Sequence, residues 1–268
     1  MAELRINDVS IHYEITGSGH PLILLHSYPA HAGVWAPQVP ALSPERRVIT
    51  YDIRGFGKSE APRSASAYSQ EQSIADLLGL MEHLKIAKAD LCGFSMGGNI
   101  ALNFALAHPS RVSKLILIGT GAGTGDGSAF AKVCNAWADA ADKGGIEGFA
   151  RDITANALFT EYGDRGTRER DAMWRLITAN TAHGVAHTAR EVLAKRPTID
   201  ALAPRLKGLT VPTMVIAGAA DAGCVSAGKI MSEMIPGARL HVIPATGHFT
   251  NLEEPETVNR LILDFLAN

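Results

Sequence analysis

One serine in this chain sits where an alkoxide could be made. It is the centre of Gly93-Phe94-Ser95-Met96-Gly97, a G-x-S-x-G string. A short apolar run, Ala89 to Cys92, precedes it, and an Ala/Leu-rich stretch, Asn99 to Ala107, follows. That is a strand–turn–helix context, the one a nucleophile elbow requires. In such an elbow the turn is so tight that the flanking positions cannot carry bulky side chains. The Ser95 hydroxyl then projects above the sheet at the start of the next helix, where the helix dipole favours developing negative charge.

A serine hydroxyl is a weak nucleophile until a base takes its proton, and the base needs an acid to orient it. The chain has ten histidines, so position must choose among them. His248 lies in "PATGHFTN", a loop between the last predicted strand and the last predicted helix. His241 falls inside the strand run "RLHVI", and His183 and His187 fall in a helical region. The acid belongs at the end of the strand "PTMVIAG", where "AGAAD" places Asp221. The alternative position, after the preceding strand, reads Gly119-Thr120-Gly121 and offers no carboxylate. Ser95, Asp221 and His248 thus follow in the chain order serine, acid, histidine. Asp52 also ends a strand but precedes Ser95, and is read as a structural partner for the turn "DIRGFGKS".

Other chemistries fit less well. No G-x-x-x-x-G-K-[ST] string is present, so a phosphate loop is excluded, and the Gly-rich stretch Gly119 to Gly127 never meets the G-x-G-x-x-G spacing. A purely structural strand-to-helix turn would explain the glycines but not the serine between them. His183, His187 and Glu191 are spaced i, i+4, i+8, which metal ligands on one helix face could share. A polar stripe is the preferred reading there, and Gly184 weakens a rigid helix. Cys224 reads as a small buried hydrophobe rather than a reactive thiol. No metal site is assigned.

The elements that must hold these residues alternate in type. "LRINDVSIHYEI" reads as two strands about the turn Asn7-Asp8. The apolar runs "PLILLH", "RRVITYD", "ADLCGF", "VSKLILIG", "PTMVIAG" and "ARLHVI" read as strands buried on both faces. Helical patterns lie between most of them. One begins at a capping box, Ser69 to Gln72, and continues in the stripe Ile74, Leu77, Leu78, Met81 and Leu84. The expected fold is α/β: a mostly parallel twisted sheet with helices on both faces and an antiparallel N-terminal hairpin. From Gly125 to about Arg205 no strand run occurs, so residues 125–205 are read as a helical cap inserted into a core made of 1–124 and 206–268. Its large side chains, Trp137, Phe149, Phe159, Met173 and Trp174, are expected mostly to pack, with a minority facing a ligand.

Composition sets further bounds. With 46% hydrophobic residues, 268 residues can bury a substantial core. Twenty-five basic residues are scattered against 27 acidic ones, giving a formal charge of -2, so no nucleic-acid partner is expected. No apolar run approaches the roughly 20 residues needed to span a bilayer, and no membrane partner is expected. The start lacks a basic region followed by an apolar one, and the three cysteines are far apart and odd in number. Both points suit a cytoplasmic protein. Nothing in the pattern selects between a monomer and a homodimer.

The pieces "LLHSYP", "YDIRGFGKS", "GFSMGG", "GAAD" and "TGHFTNLEEP", with the helical cap, resemble the α/β-hydrolase superfamily over essentially the whole chain. Within it the chain looks most like the cofactor-free serine esterase, lactonase and perhydrolase-like group and the C–C bond hydrolases. The resemblance implies a Ser-Asp-His triad, no cofactor, and an oxyanion hole from two backbone amides, which map to Tyr28 and Met96. A serine nucleophile argues against the dehalogenase and epoxide hydrolase branches, which use a carboxylate. Two departures stand out: His26-Ser27 where His-Gly is usual, and no proline in the segment after Asp221. The expected substrate is a small, mainly apolar carboxylic ester or lactone. C–C bond hydrolysis and perhydrolysis are the alternatives within the group. A slow-turnover small-molecule receptor and a hydroxynitrile-lyase type of activity are the alternatives outside it.

Overall fold

The structure, a computed structural model, describes residues 2–121 and 127–267. The boundary expected at 124/125 and most of the Gly-rich stretch Gly119 to Gly127 lie outside the described residues. Eight strands form one sheet in the order β1-β2-β4-β3-β5-β6-β7-β8. They are β1 (Ala2–Ile6), β2 (Val9–Thr16), β3 (Pro21–Leu25), β4 (Arg47–Tyr51), β5 (Ala89–Phe94), β6 (Val112–Ile118), β7 (Thr213–Gly218) and β8 (Arg239–Ile243).

β1 and β2 pair antiparallel, with Ile6 opposite Val9, and β2 runs antiparallel to β4. The connecting residues Asn7 and Asp8 both have positive φ, 47° and 67°. That is the backbone a two-residue hairpin turn demands, and Asn and Asp tolerate it better than most residues. From β4 to β8 every pairing is parallel. β5 and β7 are buried at every position. This is why their sequences are continuous apolar runs rather than alternating ones.

Two short helices, α1 (Val39–Leu42) and α10 (Thr250–Glu253), flank longer core helices: α2 (Gln70–His83), α3 (Met96–Ala107), α9 (Ala222–Met234) and α11 (Pro255–Ala267). The Ser69 hydroxyl accepts the Gln72 amide at the start of α2, as its capping box predicts. α3 packs on β3, β5 and β6, which explains its Ala-rich, almost wholly buried sequence.

Between β6 and β7 lie α4 (Ser128–Thr154), α5 (Ala157–Gly163), α6 (Thr167–Thr178), α7 (Ala182–His187) and α8 (Ile199–Leu206). α4 bends at Gly145, where φ is 64°. The boundary expected at 205/206 falls inside α8, which packs against α9. α7 forms despite Gly184, and glycine is needed there because its α-carbon abuts the Gly55 carbonyl: a β-carbon would come within 2.2 Å of that oxygen. α7 continues into π-helical turns over Thr188–Leu193. No helix among the described residues is long and apolar enough to cross a membrane.

Candidate active site

β5 delivers Ser95 to the carboxyl edge of the sheet, where the strand order reverses between β4 and β5 on either side of β3. Such switch points are where open α/β sheets bind ligands. The Ser95 backbone has φ 53° and ψ −110°, a strained conformation for a non-glycine residue. Its neighbours explain the glycines of the motif. A β-carbon on Gly93 would come within 2.4 Å of the Gly97 carbonyl oxygen, and one on Gly97 within 2.1 Å of the Leu25 oxygen. From Ala89 to Ala105 every residue is buried except Ser95. The elbow therefore presents one hydroxyl to the space above the sheet.

The Ser95 Oγ lies 3.0 Å from His248 Nε2, and His248 Nδ1 lies 2.6 Å from Asp221 Oδ2. The fold brings together the three residues singled out by motif and position. Asp221 also N-caps α9, its Oδ1 accepting the Cys224 amide at 3.0 Å. Capping α9 fixes the carboxylate in place. Burial pushes the Asp221 pKa up, but the His248 hydrogen bond and charge and the Cys224 contacts outweigh it and hold the carboxyl below its ordinary value. It is therefore a carboxylate at neutral pH.

Cys224 is buried, as expected, but it is more than filler. Its Sγ sits 3.9 Å from His248 Nδ1. Asp221, Cys224 and His248 each place one potential ligand atom within 4.8 Å of the others. The His248 and Asp221 atoms are already committed to each other. Burial, with the Asp221 charge, pushes the Cys224 thiol well up, so it stays a neutral thiol rather than a metal-binding thiolate. His183 and His187 use their Nε2 atoms on the carbonyls of Ala61 and Arg63, at 2.9 and 3.0 Å. Glu191 lies within the π-turns, whose wider repeat shifts it out of helical register with them, and pairs with Lys195.

The loop after β3 carries Tyr28. His26 is fully buried, and its Nε2 accepts the Ile53 amide at 2.9 Å. An imidazole that accepts at Nε2 must carry its proton at Nδ1, which donates to the Ser27 carbonyl at 2.9 Å. Burial, only partly offset by Asp52, lowers the His26 pKa to about 4. Ser27 is buried and off the cavity wall. Asp52 does more than serve its own turn: it accepts the Lys58 amide at 2.9 Å and the Ala32 amide at 2.8 Å. Met96 is the first residue of α3, so its amide has no intrahelical acceptor. Among the described residues the Tyr28 amide also has no backbone acceptor.

Above the serine is a cavity of about 250 Å³, with Ser95 and His248 in its wall. The cap supplies Phe130, Trp137, Leu158, Phe159 and Leu193. The Tyr28 ring stacks on Trp137, centroids 5.8 Å apart. Of the large cap side chains expected from sequence, Trp137 and Phe159 face the cavity, while Phe149 and Met173 pack in the core. One charged cap residue on the wall, Arg196, carries no sequence signal at all.

A family profile for the alpha/beta hydrolase fold matches residues 20–255. The chain belongs to the α/β-hydrolase fold family. Among its relatives in that family is the 2-hydroxy-6-oxononadienedioate/2-hydroxy-6-oxononatrienedioate hydrolase 1 of Dechloromonas aromatica, 31% identical over 97% of this chain and 92% of that one. The 3-oxoadipate enol-lactonase 2 of Acinetobacter baylyi is 28% identical over 97% and 94% of the two chains. The crystal structure of the enol-lactonase from Burkholderia xenovorans LB400 superposes with a TM-score of 0.89 at 30% identity, covering all of both chains.

Within this α/β-hydrolase, two polar cap residues that sequence reading missed hold the site loops. Asn180 accepts the Gly57 amide at 2.7 Å and donates to the Pro29 carbonyl at 2.8 Å. Arg165 donates to the Ala245 carbonyl at 2.9 Å and to the Glu253 carboxylate at 3.0 Å, while Glu253 accepts the Gly247 amide at 2.9 Å. The second set braces the turn that presents His248.

Proposed function

We propose that this α/β-hydrolase cleaves a small carboxylic ester or lactone through an acyl-enzyme on Ser95. The observation that carries the reading is the unbroken chain Ser95 Oγ, His248, Asp221, at 3.0 and 2.6 Å, opening onto a mostly apolar cavity. His248 Nε2 takes the Ser95 proton as Oγ attacks the carbonyl carbon. Asp221 fixes the tautomer and stabilises the imidazolium. The amides of Tyr28 and Met96 receive the oxyanion, each worth on the order of 3 kcal/mol in the transition state. His248 then protonates the leaving oxygen and activates the water that releases the acid. No cofactor enters the scheme. The enol-lactonase relatives, alike over nearly all of both chains, accord with an ester or lactone, and the test below separates that from the carbon–carbon bond of a vinylogous diketone. Three free, buried cysteines accord with a reducing compartment, and we place the protein in the cytoplasm.

The test combines a fluorophosphonate probe with a panel of p-nitrophenyl esters and enol-lactones. Ser95 becomes labelled, and short esters or lactones turn over. Ser95→Ala stays folded, loses labelling, and loses about a thousandfold or more in kcat. Turnover near the wild-type rate in Ser95→Ala would remove the serine from the mechanism. Labelling without ester or lactone turnover, with cleavage of a vinylogous diketone, would move the reaction to the carbon–carbon class.

A further inference from the structure

Besides the triad groups, the mostly apolar cavity wall carries Tyr28, Cys224, Ser226 and one cation. Arg196 lies on the segment joining the π-turns to α8 and lines the same cavity as Ser95 and His248. Its Nη2 donates to the Gly121 carbonyl at 2.8 Å, and its guanidinium carbon lies 4.6 Å from the Phe130 ring centroid. Its Nε is buried and has no acceptor. Among the described residues no carboxylate pairs with it. This sets it apart from the other well-placed arginines: Arg54 is bidentate to Asp76, Arg165 bonds Glu253, and Arg190 bonds Asp139 and Asp142. Burial lowers the Arg196 pKa to about 10, which still leaves it a cation at neutral pH.

A cation with a buried, unpaired donor on an apolar wall is costly to maintain. Arg196 is half-buried; the Phe130 ring face and one carbonyl relieve part of that cost, and among the described residues no carboxylate balances the charge. A planar guanidinium with free donors is the group best shaped to take a carboxylate. We propose that the substrate bears a free carboxylate in addition to the bond that is cleaved, and that Arg196 binds it. Arg196 is then the specificity-determining residue of the cavity. The hydrophobic wall holds the carbon chain, the triad meets the ester carbonyl, and Arg196 meets the far end. The substrate class is a monoester, or a lactone, of a dicarboxylic acid. The inference rests on the serine-hydrolase reading above for the cleaved bond, but not for the anion site.

The experiment compares mono-p-nitrophenyl esters of succinic, glutaric and adipic acids with the uncharged p-nitrophenyl esters of matching chain length. The wild type is expected to prefer at least one charged ester over its neutral partner by about tenfold in kcat/KM, the scale of one hydrogen bond to a charged group. In Arg196→Gln and Arg196→Met that ratio falls to about one or below, whatever the absolute rates; Arg196→Lys restores part of it. A second measurement needs no turnover: free glutarate and adipate raise the melting temperature of Ser95→Ala, their dimethyl esters do not, and Ser95→Ala/Arg196→Gln loses the response. Wild-type ratios at or below one for every chain length, with no dicarboxylate stabilisation, would overturn the proposal. So would a charged-ester preference that survives Arg196→Gln. If no ester is cleaved but dicarboxylates still bind through Arg196, the hydrolase reading fails while the anion site stands.

Discussion

Lowering the pH from 7 to 4.5 is expected to weaken the fold through one side chain that never touches substrate. His26 is fully buried, donates from Nδ1 to the Ser27 carbonyl and accepts at Nε2 from the Ile53 amide. A proton added at Nε2 would face that amide hydrogen. The folded pKa is accordingly depressed from 6.5 to about 4, mainly by burial. The sign follows. Between those two values the unfolded chain binds a proton at His26 and the folded chain does not. The stabilisation is therefore complete above pH 6.5, and drains away as pH falls toward 4. At roughly 1.4 kcal/mol per tenfold change in proton affinity, the whole effect is about 3 kcal/mol, most of it gone by pH 4.5. Urea unfolding at intervals from pH 7 to 4.5, followed by tryptophan fluorescence, measures it. The control is His26→Gln, whose amide oxygen can still accept from Ile53 but cannot titrate. Other groups whose pKa is shifted, His31 and Asp221 among them, are present in both proteins and cancel in the difference. The variant is less stable at pH 7 and converges on the wild type at pH 4.5. Parallel curves, with a constant gap between the two proteins, would refute the account of His26 as a neutral brace of the Tyr28 loop.

Three further outcomes follow from the braces of the site. Asn180→Ala strips partners from the Gly57 amide and the Pro29 carbonyl and is expected to cost about 2 to 4 kcal/mol by urea titration; a loss under about 0.5 kcal/mol would mean water replaces the side chain freely. Asn180→Asp keeps the acceptor for Gly57 but sets a carboxylate against the carbonyls of Pro29, Leu176 and Ile177, so it is expected to be no better than alanine. Arg165→Met leaves the Glu253 carboxylate buried without its cation, and is expected to lower both stability and kcat; adding Glu253→Gln removes that charge and recovers part of the stability, and failure to do so would deny the pair its electrostatic role.

Most of what places the reacting atoms has a local signature. The elbow is legible because steric limits at Gly93 and Gly97 leave glycine as the fitting residue. Asp221 is legible because it ends a fully apolar strand, and the Asn7-Asp8 hairpin because its turn needs positive φ. Asn180, Arg165 and Arg196 have no such signature. Each acts across the interface between cap and core, on a backbone group distant in sequence, and a lone polar residue in an amphipathic helical region looks like any solvated one. The π-turns after His187 also escaped periodicity, which assumes a constant helical repeat. Arg196 reaches the cavity from a segment far from any motif.

The same long-range bonds argue against a cap that lifts away during turnover. Asn180 ties it to Gly57 and Pro29, Arg165 to Ala245 and Glu253, Arg196 to Gly121, and His183 and His187 to Ala61 and Arg63. Taken at about 1 kcal/mol net for each bond, rigid lifting costs on the order of 5 kcal/mol or more, an open population well below one in a thousand. Substrate is then better served by reaching the cavity between cap helices than by displacing the cap. Because two of these tethers end on the loops that carry the Tyr28 amide and His248, a change that loosens the cap also blurs the geometry of the oxyanion hole and base proposed above. Cap variants should therefore depress kcat even where they touch nothing on the cavity wall, and a set of them that altered KM alone would show cap and triad to be mechanically independent.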